Sequence, residues 1–295
     1  MSKRHGKDKE VPASLPTEYS SDSDSSSASD YESVRQSASP QSKARLLAAK
    51  SILQYQPISN IFLTDGALLL DFACGTGALS QHLASHIDRI LGIDVDLRAV
   101  QEFNTRARNQ GIDEIEMHAI HCDVLNEDSL AYGKTWFGKV DVVASALGFH
   151  HLADMTTVTK TLVNRFLKVG GWIAVIDLMY EPHTSVIFEN AKKVKANHPD
   201  KCQHGHDHLH HYAQQVGGIK ANDIRHAFES AGLDCVDVFE RVFDTAVIVP
   251  RRLIPEYGNS NEAGSSRHGR ALSSVSDGGK VEVLLPFLLA VGKKS

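Results

Sequence analysis

Residues 68–80, Leu-Leu-Leu-Asp-Phe-Ala-Cys-Gly-Thr-Gly-Ala-Leu-Ser, restrict the fold more than any other stretch of the chain. An apolar run reaches an acidic residue and a glycine turn, and a helical pattern follows at once. Leu68, Leu69 and Leu70 read as a buried parallel strand with Asp71 at its carboxyl end. Gly75 and Gly77 permit a tight turn and let a ligand approach the backbone. Strand, glycine turn and helix in that order form a cradle for a nucleoside cofactor. A phosphate-binding loop would need Gly-Lys-Ser/Thr, which is absent. A dinucleotide fingerprint would need a third glycine, and Ser80 stands in its place, which makes NAD the weaker reading.

Four more strand patterns follow. Arg89-Ile-Leu-Gly-Ile-Asp94 ends in a carboxylate about 20 residues past the glycine turn, where a ribose is held through its hydroxyls in a Rossmann-like site. Asp94 is the expected ribose ligand, with Asp96 as its competitor. Residues 114–122 form a third strand ending at Asp123-Val124, where an Asp is equally ordinary turn chemistry. Residues 139–147 are a fourth, followed by Gly-Phe-His-His-Leu-Ala-Asp, and residues 167–177 give a helix end, a Gly-Gly turn and a fifth strand.

The Asp-x-x-x-Gly-x-Gly pattern resembles motif I of the class I S-adenosylmethionine (SAM) dependent methyltransferases, and the later segments fall in that family's order. The resemblance covers about residues 45–292 and is nearest to the ubiquinone/menaquinone-biosynthesis-like, small-molecule branch. It implies an α/β fold, a Rossmann-like doubly wound sheet of seven strands in the order 3-2-1-4-5-7-6 with the last strand antiparallel. It implies SAM as cofactor, with Asp71, Ala73, Gly75, Thr76 and Gly77 around its amino acid end. Asp94 and Val95 would hold the ribose side, Asp123 and Val124 the adenine, and Ala146 would complete the cofactor site. His210 and His211 belong to a segment longer than the family's His-His-Gly pattern.

The carboxyl ends of strands four and five face the acceptor in such a sheet. That position makes His150, His151 and Asp177 the candidate catalytic groups, and Phe149, Tyr180, His210 and His211 the candidate substrate contacts. A base is needed only for an acceptor that is a poor nucleophile at neutral pH, and each of the two histidines also has a bland reading as a loop-orienting hydrogen-bond partner.

Residues 1–42 read as a disordered tail and residues 43–295 as the catalytic domain, with a His-rich insertion about 181–216 and a polar loop about 256–279. Within the tail, residues 20–29 alternate Ser with Asp almost without apolar side chains, so burial cannot offset ordering entropy; serines among acids also suit acidophilic kinases. A 295-residue chain that is 42% hydrophobic can bury a full core. No apolar run is long enough to span a membrane. Cys74, Cys122, Cys202 and Cys235 lie far apart without a C-x-x-C pair, which fits a reduced interior, cytoplasmic in the first instance with the nucleus as alternative. A formal net charge of −5 gives no global footprint for nucleic acid.

His204, His206, His208 and His210 alternate and share one face if extended. A covering loop without metal is the reading adopted, with zinc or a similar ion as the alternative. The functional expectation is methyl transfer from SAM to a small-molecule acceptor by in-line displacement. The alternatives are a protein or RNA methyltransferase on the same fold and a non-catalytic SAM-binding scaffold. No Asn-Pro-Pro-Tyr/Phe tetrapeptide follows strand four, where Ala146-Leu-Gly-Phe stands, which counts against adenine and glutamine amide targets.

Overall fold

The computed structural model describes residues 40–197, 215, 217–250, 275–276 and 280–295. Five parallel strands, β1 (Leu68–Phe72), β2 (Arg89–Asp94), β3 (Met117–His121), β4 (Val140–Ala146) and β5 (Leu167–Leu178), form most of one sheet. β6 (Leu233–Pro250), the two-residue β7 (Val275–Ser276) and β8 (Lys280–Lys294) complete it. The order is β3-β2-β1-β4-β5-β8-β6, with β7 paired to β8. That is the expected seven-stranded topology with one short strand added, and β8 runs antiparallel to both β5 and β6.

Helices α1 (Pro40–Gln54), α2 (Gln56–Phe62), α3 (Ala78–Leu83), α4 (Leu97–Asn109), α5 (Glu127–Leu130), α6 (Met155–Thr161), α7 (Pro182–Asn197) and α8 (Ala221–Ser230) connect and cover the strands. Alternation along each strand splits the core into two apolar clusters. Leu69, Val142, Ala144 and Ala174 pack with α1, α4 and α7, and Leu70, Val143, Ile173 and Val175 pack with α6 and α8. Both faces are covered, so β1 and β4 are buried at every residue rather than alternately.

Three expectations change. The stretch around 181–216, read as a loop insertion, begins with the helix Pro182–Asn197, whose Ile187 and Phe188 join the core. The helix end and Gly-Gly turn expected before the fifth strand belong to β5 itself: Val140 pairs with Leu167 and Val142 with Trp172, and Gly170 absorbs the misfit at a φ of 79°. The third strand is shorter than residues 114–122, because Asp113 first makes a turn with Ile115 and Met117.

At the edge, Asn104 of α4 pairs with the main chain of Ala119 through both amide atoms, 2.9 Å to its carbonyl and 2.7 Å from its N–H. A side chain thus occupies what would be an open ladder position. At the other edge β8 pairs with β5 only from Phe287 to Lys293, so its first half and the matching half of β6 run on as a ribbon past the carboxyl end of β5.

Candidate functional site

β1 and β4 are neighbours from which the strand order departs in opposite directions, and a crevice opens there at the strand ends. Both strands leave the sheet through left-handed residues, Ala73 at a φ of 55° and Leu147 at 65°. They pass very close: a Cβ on Gly148 would lie 2.6 Å from the Cβ of Ala73. The glycine turn then carries Gly75 at a φ of 53° with open space around its Cα, whereas Gly77 packs its Cα onto the Phe103 ring of α4. One glycine therefore faces open space and the other seats the turn on the protein.

The carboxylate at the end of β2 organises that turn. Asp94 accepts the N–H of Gly75 at 2.7 Å and that of Asp96 at 2.9 Å. Asp96 caps α4, one oxygen of its side chain accepting from Arg98 and Ala99. Val95 is 67% exposed beside it, an apolar surface large enough to lie under a planar base. Thr76 accepts from Arg106 at 3.2 Å. Asp123 is exposed and uses one oxygen to accept from Leu125, with Val124 buried behind it; Ala146 is buried at the end of β4. The open space at Gly75, the fixed Asp94 carboxylate and the exposed Val95 suit a nucleoside carrying a ribose and a flat base.

Asp71 is buried within β1 and accepts from Ser80 at 2.6 Å. Burial pushes its carboxyl from 3.8 up to about 7, against the Ser80 hydrogen bond and the Arg45 charge, with Asp94 adding to the rise. Arg45, on α1, is the cation that faces it, and burial lowers the guanidinium's own proton affinity while Asp71 raises it. Sequence reading missed Arg45, and the available signal was a basic residue set among the buried Ala44, Ala48, Ala49 and Ile52 of one helix. Burial pushes the Cys74 thiol well up, as fits a packing residue in the turn.

Around the ends of β4 and β5 the structure brings His150 and Asp177 together. Nδ1 of His150 lies 2.6 Å from Oδ1 of Asp177, the His150 N–H reaches Oδ2 at 3.1 Å, and the Leu178 N–H reaches Oδ1 at 2.7 Å. Asp177 is fully buried and His150 nearly so. His151 is exposed and tilts its ring against that of His150, centroids 4.0 Å apart. Phe149, an expected substrate contact, is instead fully buried edge-on to Phe72, because the short turn after β4 sends its ring into the core. Tyr180 is half-buried with the Lys220 ammonium over its ring. His204, His206, His208, His210 and His211 lie outside the described residues.

The fold and the turn define a Rossmann-like methyltransferase domain of class I. A family profile described as a methyltransferase domain matches residues 63–232, and the chain belongs to that family. Over 124 residues it is 36% identical to an uncharacterized methyltransferase of Schizosaccharomyces pombe, covering 41% of this chain and 42% of that protein. Over 123 residues it is 25% identical to a ubiquinone biosynthesis O-methyltransferase of Leptothrix cholodnii, covering 42% of this chain and 49% of that protein. The chain thus spans less than half the length of these curated relatives. A putative methyltransferase from Bacillus halodurans shares the fold at a TM-score of 0.52 and 15% identity, over 81% of this chain and 97% of that one. Among the described residues no helix is long and apolar enough to cross a membrane.

Proposed function

We propose that this chain transfers a methyl group from SAM to a small-molecule acceptor at the carboxyl ends of β4 and β5. The observation that carries the reading is the Asp94 carboxylate locked onto the Gly75 N–H in a left-handed turn whose outer face is open. That arrangement fixes a ribose acceptor before any ligand arrives, so little ordering is left to oppose binding. Asp71, Ala73, Thr76 and Gly77 would surround the amino acid end, Val95, Asp123 and Val124 the base, and Ala146 the floor. When bound, SAM supplies an electrophilic methyl. The chain's part is to hold that methyl in line with an acceptor and to exclude water, a contribution of roughly 7–11 kcal/mol for well-oriented reactants.

His150, His151 and Asp177 are placed for acceptor chemistry, with Tyr180 as a substrate contact in the same region. The small-molecule preference draws support from the ubiquinone biosynthesis relative and from the chain's formal charge of −5. Calorimetry with SAM and S-adenosylhomocysteine tests the reading. Micromolar binding to the unmodified chain, weakened 10- to 150-fold in Asp94→Ala for a charge-assisted bond of roughly 1.5–3 kcal/mol, is the expected result. A folded chain that binds neither ligand would refute it. Binding without turnover on any extract would favour a scaffold.

A further inference from the structure

The pairing of a buried imidazole with a buried carboxylate at the ends of β4 and β5 says more about the acceptor than the cofactor cradle does. Asp177 receives three N–H groups, from the His150 ring, the His150 main chain and Leu178. It is acceptor-only as a carboxylate, so the short ring contact puts a hydrogen on Nδ1, and in the neutral ring Nε2 is then the basic nitrogen. The main-chain bond from His150 to the same carboxylate fixes the ring's origin, and the His151 ring against it limits rotation. Among the described residues, Nε2 has no hydrogen-bond partner. A histidine that merely held the loop would need only its Nδ1 bond. Here the tautomer, the ring plane and the free nitrogen are all specified, in the region where an acceptor must enter.

We propose that His150 is the general base of the reaction and that the acceptor is a hydroxyl un-ionised at neutral pH. This inference rests on the methyl-transfer reading and deepens it. His150 Nε2 takes the hydroxyl proton as the acceptor oxygen forms its bond to the methyl carbon. The carbon–sulfur bond breaks with its electron pair remaining on sulfur. The sulfonium charge is thereby replaced by an imidazolium charge, which Asp177 holds until the proton leaves to water. Other acceptors need this less. An aromatic amine, neutral at pH 7, attacks through its lone pair and sheds its proton afterwards, and a thiol already supplies a few per cent of thiolate at pH 7. A hydroxyl of phenolic acidity near 10 is ionised to only about one part in a thousand at that pH. Asp177 is a positioning residue, acting through His150.

The test uses the full chain with methyl-labelled SAM, a defined panel of phenols, alcohols, thiols and amines, and a small-molecule extract. Mass spectrometry assigns the methylated atom, and calorimetry measures S-adenosylhomocysteine affinity in the same preparations. The expected result is label on oxygen. His150→Gln should lower kcat by about 10²–10⁴-fold, with S-adenosylhomocysteine affinity within about threefold of the unmodified chain. Asp177→Asn should act in the same direction, on kcat rather than KM. Because Asp177 is fully buried, only a preparation that still binds S-adenosylhomocysteine counts, and His150→Gln carries the decision. Label on nitrogen, sulfur or carbon would overturn the proposal. So would the absence of any labelled hydroxyl while S-adenosylhomocysteine binds, or unimpaired O-methylation by His150→Gln. An unmodified chain that fails to bind S-adenosylhomocysteine would instead refute the methyl-transfer reading, and this inference with it.

Discussion

Asp71→Asn should make the ligand-free protein more stable and the cofactor site worse. A carboxyl carried from 3.8 in the unfolded chain to about 7 in the folded one binds its proton more tightly when folded. Between those two values the folded state therefore holds more protons than the unfolded state, and stability falls as pH rises. Above pH 7 the ionised Asp71 costs roughly 4 kcal/mol, at 1.36 kcal/mol per pH unit, an upper value for a buried group. Asn is neutral at every pH and keeps an oxygen for the Ser80 hydroxyl that now donates at 2.6 Å. The variant and the unmodified chain should melt together near pH 4. By pH 8 the variant should melt higher by up to about 16 °C, taking 2–4 °C per kcal/mol for a domain of this size.

Thermal melting across pH 4–8 with both proteins in parallel gives the comparison, and calorimetry with SAM at pH 8 supplies the other half. A cation near an ionised Asp71 relieves its burial penalty, so the variant should bind SAM more weakly by 10- to 150-fold. A melting difference that does not grow with pH would refute the burial argument. An unchanged SAM affinity would take Asp71 out of the cofactor site while leaving the stability reasoning intact.

Two further substitutions test the scaffold beneath the site. Gly77→Ala puts a Cβ 2.6 Å from the Phe103 ring at a φ of 85°; left-handed strain of 1–2 kcal/mol plus overpacking of 1–3 kcal/mol should lower urea stability by about 2–5 kcal/mol. Equal midpoints would mean that the turn is free to move. Asn104→Leu removes both bonds to Ala119 at the edge of β3 and should cost about 1–3 kcal/mol, with faster amide exchange at Ala119 as the local readout.

What the sequence revealed was whatever is encoded by short spacing. The strand, glycine turn and helix, the order of the later strands, and Asp94 all depend on neighbours within about 20 residues. The capping role of Asp96 had a local signal too, since an Asp directly before the helical stretch 97–109 is a cap, and Asp96 caps α4. The burial of Phe149 was hidden for a different reason. Adjacency to the histidines put it among the substrate contacts, but its apolar ring packs in the core beside Phe72. Contacts between distant segments were hidden. Arg45 meets Asp71 only because α1 packs across the sheet face, and His150 meets Asp177 only because β4 and β5 are neighbours with aligned ends.

Two left-handed residues and a buried carboxylate of this domain converge on one place. Ala73 and Leu147 both occupy left-handed conformations at the ends of adjacent strands, at roughly 1–2 kcal/mol each, and Asp71 lies buried two residues from the first of them. The missing Cβ of Gly148 is what lets the two strained ends pass. Elsewhere β1 and β4 are buried at every residue, so the strain is held by the surrounding core rather than relaxed. A ligand that brings a cation toward Asp71 and a ribose to Asp94 binds the folded state alone, and its free energy adds directly to stability. The cofactor should therefore raise the melting temperature more above pH 7, where Asp71 is ionised, than near pH 5, where it is not.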